Sequence, residues 1–92
     1  MKLTELVREI GNIDQNAIIF QEDISNPDSD IIISFPKKGD EGIKIEKGRK
    51  YYYLIEIFIA KEFIEELEAC LDYQPSIEEK AKRLYDYAIN DA

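Results

Sequence analysis

Leu3, Leu6, Val7 and Ile10 recur at helical spacing before the chain turns polar. This predicts a short first helix, with Gly11 as its left-handed cap. Two apolar, β-prone runs of strand length follow, AIIFQE over 17–22 and IIISF over 31–35. Because both are continuously apolar rather than alternating, they read as central strands covered on two faces. The segment between them, DISNPDSD over 23–30, is dense in turn formers around Asn26-Pro27-Asp28. KKGDEG over 37–42 reads as a turn. Ile43 and Ile45 then alternate with Lys44 and Glu46, the mark of a short half-exposed strand.

KGRK over 47–50 is another tight connection, where Gly48 supplies a permissive backbone. From Tyr51 onward the tyrosine-rich, β-branched run predicts a fourth strand. In it Tyr51, Tyr53 and Ile55 face one way, and Tyr52, Leu54 and Glu56 the other. The strand gives way to a helix near Phe58. At 100° per residue Ala60, Phe63, Ile64, Leu67, Cys70 and Leu71 gather on one side, with Lys61, Glu65, Glu68 and Asp72 opposite, flanked by Glu62 and Glu66. Phe58 would lie on the charged side, which places the helix start just after it. A last helix opens at Ser76, three residues before Glu79 in a capping-box pattern, and carries an apolar stripe of Ile77, Ala81, Leu84, Tyr85 and Ala88. The order predicts one α+β domain over 1–92: an N-terminal helix, an antiparallel or mixed sheet of about four strands, and two C-terminal helices packed on it.

Ninety-two residues, 45% of them hydrophobic, suffice for one modest core. Twenty acids against twelve bases leave a net charge of -8, a field that repels phosphate backbones and attracts basic partners. Simple solubility accounts for the same charge. One cysteine rules out an intrachain disulfide and suits a reducing cytoplasm. The opening MKLTELVREIGN holds no apolar run of signal-peptide length, and no segment approaches ~20 apolar residues, so no membrane span is expected.

The absence of histidine removes Ser-His and Cys-His dyads and most zinc sites. Cys70, on the apolar stripe, reads as a buried inert thiol. Asp23, Asp28 and Asp30 share a loop, yet lack the ligand order of an EF-hand. No catalytic residue, metal or cofactor is therefore assigned, and a non-enzymatic protein is expected. Residues 37–50 form the one locally basic patch, six Lys or Arg against three acids, beside three tyrosines. An RNA-recognition strand wants an aromatic and a small residue after its basic-glycine pair, where Arg49 and Lys50 stand. A small regulatory or nucleic-acid-binding module using this patch is kept as the alternative function, while strand packing explains at least two of the tyrosines.

The strongest remaining signal is acidity. Residues 56–72 carry six acids and one base. This charge, the chain's size and the run YYYLIEIFIAKEFIEEL, a tyrosine-rich strand passing directly into an acidic amphipathic helix, resemble the small acidic immunity proteins of bacterial toxin–immunity systems, including those of contact-dependent growth inhibition. The resemblance runs loosely over the full length and carries no shared motif. It implies a cytoplasmic protein that neutralises a cognate toxin with a basic surface by stoichiometric binding, without itself contacting nucleic acid or membrane. The expected partner-binding residues are Glu62, Glu65, Glu66, Glu68 and Asp72, with Tyr52, Tyr53 and Phe58 as apolar anchors.

Overall fold

A computed structural model describes residues 1–36 and 42–90. Helix α1 (Leu3–Glu9) buries Leu3, Leu6 and Val7, the spacing that predicted it. Its end differs from expectation. Ile10 keeps right-handed helical angles, the chain tightens into a 3-10 turn over Ile10–Asn12, and the Ile13 N–H donates to the Ile10 carbonyl at 3.2 Å. Gly11 sits inside that turn without a positive φ, so no left-handed cap is needed.

Strands β1 (Ile18–Gln21), β2 (Ile31–Ser34), β3 (Ile43–Glu46) and β4 (Arg49–Glu56) form one antiparallel sheet in the order β2-β1-β4-β3. The predicted α+β architecture is present, completed by helices α2 (Ile57–Cys70) and α3 (Ile77–Asn90). β1 is central, but β2 is an edge strand despite its apolar run, and only Ile31 in it is fully shielded. The turn expected at 37–42 falls, except for Gly42, outside the described residues.

One core lies between the sheet and the helices. Ile19, Ile31, Leu54 and Ile55 meet Leu3, Leu6 and Val7 of α1, Ile57, Ala60 and Ile64 of α2, and Ala81, Leu84 and Ala88 of α3. Helix α2 begins without a connecting loop. Glu56 is both the last strand residue and the N-cap, and the Ile57 N–H donates to the Ala17 carbonyl at 2.9 Å. Phe58 is therefore inside the helix rather than before it. Burying Ile57 fixes the start, and Phe58 takes the outward position that its spacing implied.

A β-bulge decides which way the tyrosines look. Ile19 pairs with Ile55 but Phe20 pairs with Tyr53, so Leu54 is the extra residue. Tyr51 and Tyr53 share one face, and Tyr52 and Leu54 the other, as strict alternation expects. Beyond the bulge the parity reverses: Ile55 joins Leu54 in the core, and Glu56, opposite Ile18, moves to the Tyr53 face. Two consecutive buried residues at a strand end are the product of that one inserted position.

The sheet is curled. Edge strands three positions apart would lie roughly 14 Å from each other in a flat sheet. Here Lys44 Nζ of β3 reaches the Phe35 carbonyl at the end of β2, at 3.4 Å. Residues of β2, β3 and β4, among them Ile32, Glu46 and Tyr51, also line a single cavity of about 430 Å³. The concave face away from the helices thus holds a second small cluster, with buried Phe20 edge-on to Tyr53 (6.4 Å between centroids) and Lys44 Nζ 5.8 Å from the Phe20 ring centre.

At the other end of β1 the loop of residues 22–30 folds back over Gln21, the one fully buried polar side chain among the described residues. Its Nε2 donates toward the carbonyls of Asn26, Pro27 and Ser29 at 3.2, 3.4 and 3.5 Å, while Oε1 has no partner among the described residues. Inside the loop Asp23 accepts from the Ser25 amide and hydroxyl, and Ser29 Oγ donates to the Asp23 and Asn26 carbonyls.

Candidate functional site

The buried stripe of α2 runs through Ile57, Ala60 and Ile64. At 100° per residue it is rotated toward Ile57 relative to the stripe read from the sequence. Phe63 and Leu67 are left half-buried, and Cys70, expected inside, is exposed. The same rotation brings Phe58, Glu62, Glu65 and Glu66 together on the outward arc. Phe58 is 45% exposed, one turn before Glu62, and also borders a groove formed with Asn16, Ala17, Ile18, Pro36 and Glu56.

Glu68 does not join that arc. It turns toward α3, where Lys80 Nζ meets its Oε2 at 2.7 Å. Asp72 lies beyond the helix end at Leu71 and is exposed. Lys61, the single base of the helix, swings to the other flank and donates to the Ile13 carbonyl at 2.6 Å. The outward carboxylates Glu62, Glu65 and Glu66 have no ion pair among the described residues, and Glu62 and Glu66 stand one turn apart.

The structure places an aromatic pair beside them that the sequence reading passed over. Phe63 stacks on Tyr87 of α3, with centroids 4.7 Å apart and planes at 24°. Ile59, Glu62, Phe63, Glu66 and Tyr87 line a shallow groove of about 110 Å³ on one side of the pair, and Phe63, Arg83, Asp86, Tyr87 and Asn90 line another of about 300 Å³. A signal existed: Tyr87 lies three residues after Leu84, hence on the flank of α3's buried stripe.

The tyrosine anchors separate. Tyr51 is buried; Tyr52 and Tyr53 are 38% and 40% exposed on opposite faces of the sheet. Burial, then the nearby Glu56 carboxylate, pushes the Tyr53 hydroxyl above its ordinary pKa. Neither tyrosine adjoins the α2 arc in the sheet register, so Phe58 is the anchor that the fold brings to the acids.

Other carboxylates serve structure. Lys2 and Arg49 hold Asp30 at 3.0 and 3.6 Å, and the Lys2 ammonium keeps its carboxyl below the usual range. Hydrogen bonds from Ser25 lower Asp23 likewise. Among the described residues no group of three or more acids or cysteines converges as a metal-binding set. Ser76 Oγ accepts the Glu79 N–H at 3.1 Å, one half of the predicted capping box. The Glu79 carboxylate instead accepts from Tyr73 Oη at 2.5 Å and Arg83 Nε at 2.9 Å, tying the link between α2 and α3 to the last helix.

Within the described part of the basic patch, Arg49 faces Glu22 and Asp30, both at 3.6 Å, and Lys44 lies over Phe20. Lys37 and Lys38 lie outside the described residues. With Tyr51 buried, the three tyrosines do not make a continuous stacking platform. Among the described residues, no helix is long and apolar enough to cross a membrane. Comparison with protein-family models, curated proteins and solved structures finds no match to the chain.

Proposed function

We propose that the protein is a non-enzymatic inhibitor, an immunity protein that neutralises a bacterial toxin in the cytoplasm by binding a basic surface with the outward arc of α2. The observation that carries this reading is the set of carboxylates Glu62, Glu65 and Glu66, without an ion pair among the described residues and flanked by the apolar surfaces of Phe58 and the Phe63–Tyr87 pair. A merely solvated helix face ordinarily intersperses cations at i±4, since like charges one turn apart cost roughly 0.2–0.5 kcal/mol. Here both nearby lysines are committed elsewhere, Lys61 to the Ile13 carbonyl and Lys80 to Glu68. A basic partner relieves that repulsion, and the aromatics supply the apolar centre that charge alone lacks.

The test is a titration against a candidate toxin domain with a basic surface, together with protection of cells that express that toxin. The triple reversal Glu62→Lys, Glu65→Lys, Glu66→Lys is expected to slow association by ~10 to 10³-fold at low salt, and the wild-type rate should fall as salt is added. Undiminished inhibition by the triple variant would remove α2 as the interface. Failure to protect cells, with retained RNA binding at ~0.2 M salt, would favour the nucleic-acid module instead.

A further inference from the structure

Strand β3 is an edge of the sheet, and its apolar side chains point where no helix covers them. Alternation read from sequence puts Ile43 and Ile45 inside, yet they are 44% and 70% exposed. They share their face with Tyr52, opposite Ile43 on β4, and with the core side of the sheet. Among the described residues the helices cover β1, β2 and the end of β4, and none reaches this corner.

The backbone of the edge is equally open, in a defined phase. Lys47 and Gly48 form a two-residue hairpin turn with φ of 51° and 77°, the pair of positive values of a type I′ turn. The Tyr53 N–H donates to the Gly42 carbonyl at 2.8 Å, which makes 42–53 a hydrogen-bonded pair. Antiparallel pairs alternate, so 44–51 and 46–49 are also bonded, and the N–H and C=O groups of Ile43 and Ile45 point outward. Among the described residues nothing bonds to them.

We propose that this edge pairs with β3 of a second copy of the chain, antiparallel about a twofold axis through Ile45. The register follows from two constraints. Outward groups must meet outward groups, so odd positions face odd positions. Centring on Lys44 would set two lysines opposite each other. Centring on Ile45 sets Ile45 against Ile45 of the copy as the bonded pair, exchanging two N–H···O=C bonds. Lys44 then faces Glu46 of the copy, and Glu46 faces its Lys44. Both cross-strand pairs have opposite charge, and the isoleucines with Tyr52 join into one apolar strip across the seam. The strand has four residues, so the association is weak and depends on concentration. It uses a surface distinct from the α2 arc and does not depend on the toxin-binding reading.

Sedimentation of the full chain over a concentration series tests this. The wild type should dimerise as concentration rises. Ile45→Lys should remain monomeric, and Glu46→Lys should raise the dimer dissociation constant roughly tenfold by converting two attractive contacts to repulsive ones. Mixing Glu46→Lys with Lys44→Glu should restore a heterodimer that neither forms alone, while circular dichroism confirms that each is folded. In a Cys70→Ser background, Ile45→Cys should oxidise to a linked dimer, because bonded partners stand ~5.5 Å apart at Cα. Ile43→Cys should not, its two copies lying roughly 14 Å apart in this register. A wild type that stays monomeric to millimolar concentration, or a dimer indifferent to Ile45→Lys and Glu46→Lys, would overturn the proposal. So would a monomer whose edge instead takes an extended peptide from another protein.

Discussion

Gln21 offers the sharpest test of how the loop of residues 22–30 is held. Its amide nitrogen faces three carbonyl oxygens at 3.2–3.5 Å, and its side chain has no exposure to water. Gln21→Glu keeps the shape and replaces that donor with an acceptor. At neutral pH a carboxylate would face three carbonyls, with no cation bonded to the site among the described residues. Burial of this kind raises a carboxyl pKa by as much as roughly 3–5 pH units, at about 1.4 kcal/mol for each. Only the roughly 2.7 pH units between the unfolded value of about 4.3 and pH 7 count at neutral pH, so the expected loss there is about 3.5 kcal/mol, against a total stability of roughly 5–14 kcal/mol for this length. The sign is definite. The folded-state pKa lies above the unfolded one, so the penalty is absent below the unfolded value of about 4.3 and grows as pH rises toward the folded value. Urea titrations followed by circular dichroism from pH 4.5 to 8 would measure the difference from wild type at each pH. Gln21→Met is the control: it loses the donor without adding charge and should cost about 1–3 kcal/mol at every pH. A Glu variant whose deficit is small, or independent of pH, would refute the claim that this site is dry and donor-dependent.

Leu84→Ala, at a fully buried site between α3 and the core, should cost about 2–5 kcal/mol, whereas Phe58→Ala should fall within about 0.5 kcal/mol of wild type; denaturant midpoints separate the two. Lys47 adopts a left-handed conformation at the hairpin turn, and Lys47→Asn should raise stability by roughly 0.5–1 kcal/mol, read as a higher thermal midpoint. Asp30 has its pKa lowered in the fold, chiefly by its hydrogen bond from Lys2. Its contribution is therefore present above the ordinary carboxylate value of 3.8 and fades as pH falls through the folded one. Asp30→Asn should lose stability at neutral pH and show a flatter acid limb.

Much of this fold is legible as local pattern. The 3.6-residue spacing of Leu3, Leu6 and Val7, the cap at Ser76 with its stripe of Ala81, Leu84 and Ala88, and the turn chemistry of 23–30 each act within a few residues. Composition likewise yields the acidity of α2. What composition cannot supply is phase. Inserting Leu54 as a bulge residue reverses the facing of Ile55 and Glu56, and Ile57 then draws the helix start back over Phe58. A one-residue change in phase costs little locally and is chosen by whichever side chains the rest of the core can shield.

The candidate site divides along the same line. That residues 56–72 are acidic follows from the letters. Which acids stay free depends on partners distant in the chain: Lys80 takes Glu68, and the Ile13 carbonyl takes Lys61. The aromatic flank of the arc needs Tyr87 of another helix to stack on Phe63. Local residue order settles helices, turns and net charge because those terms act between near neighbours. The strand order, the exposure of Ile43 and Ile45, and the set of acids left without an ion pair arise only when distant elements compete to cover the same surface, and among the described residues three helices are too few to cover all four strands.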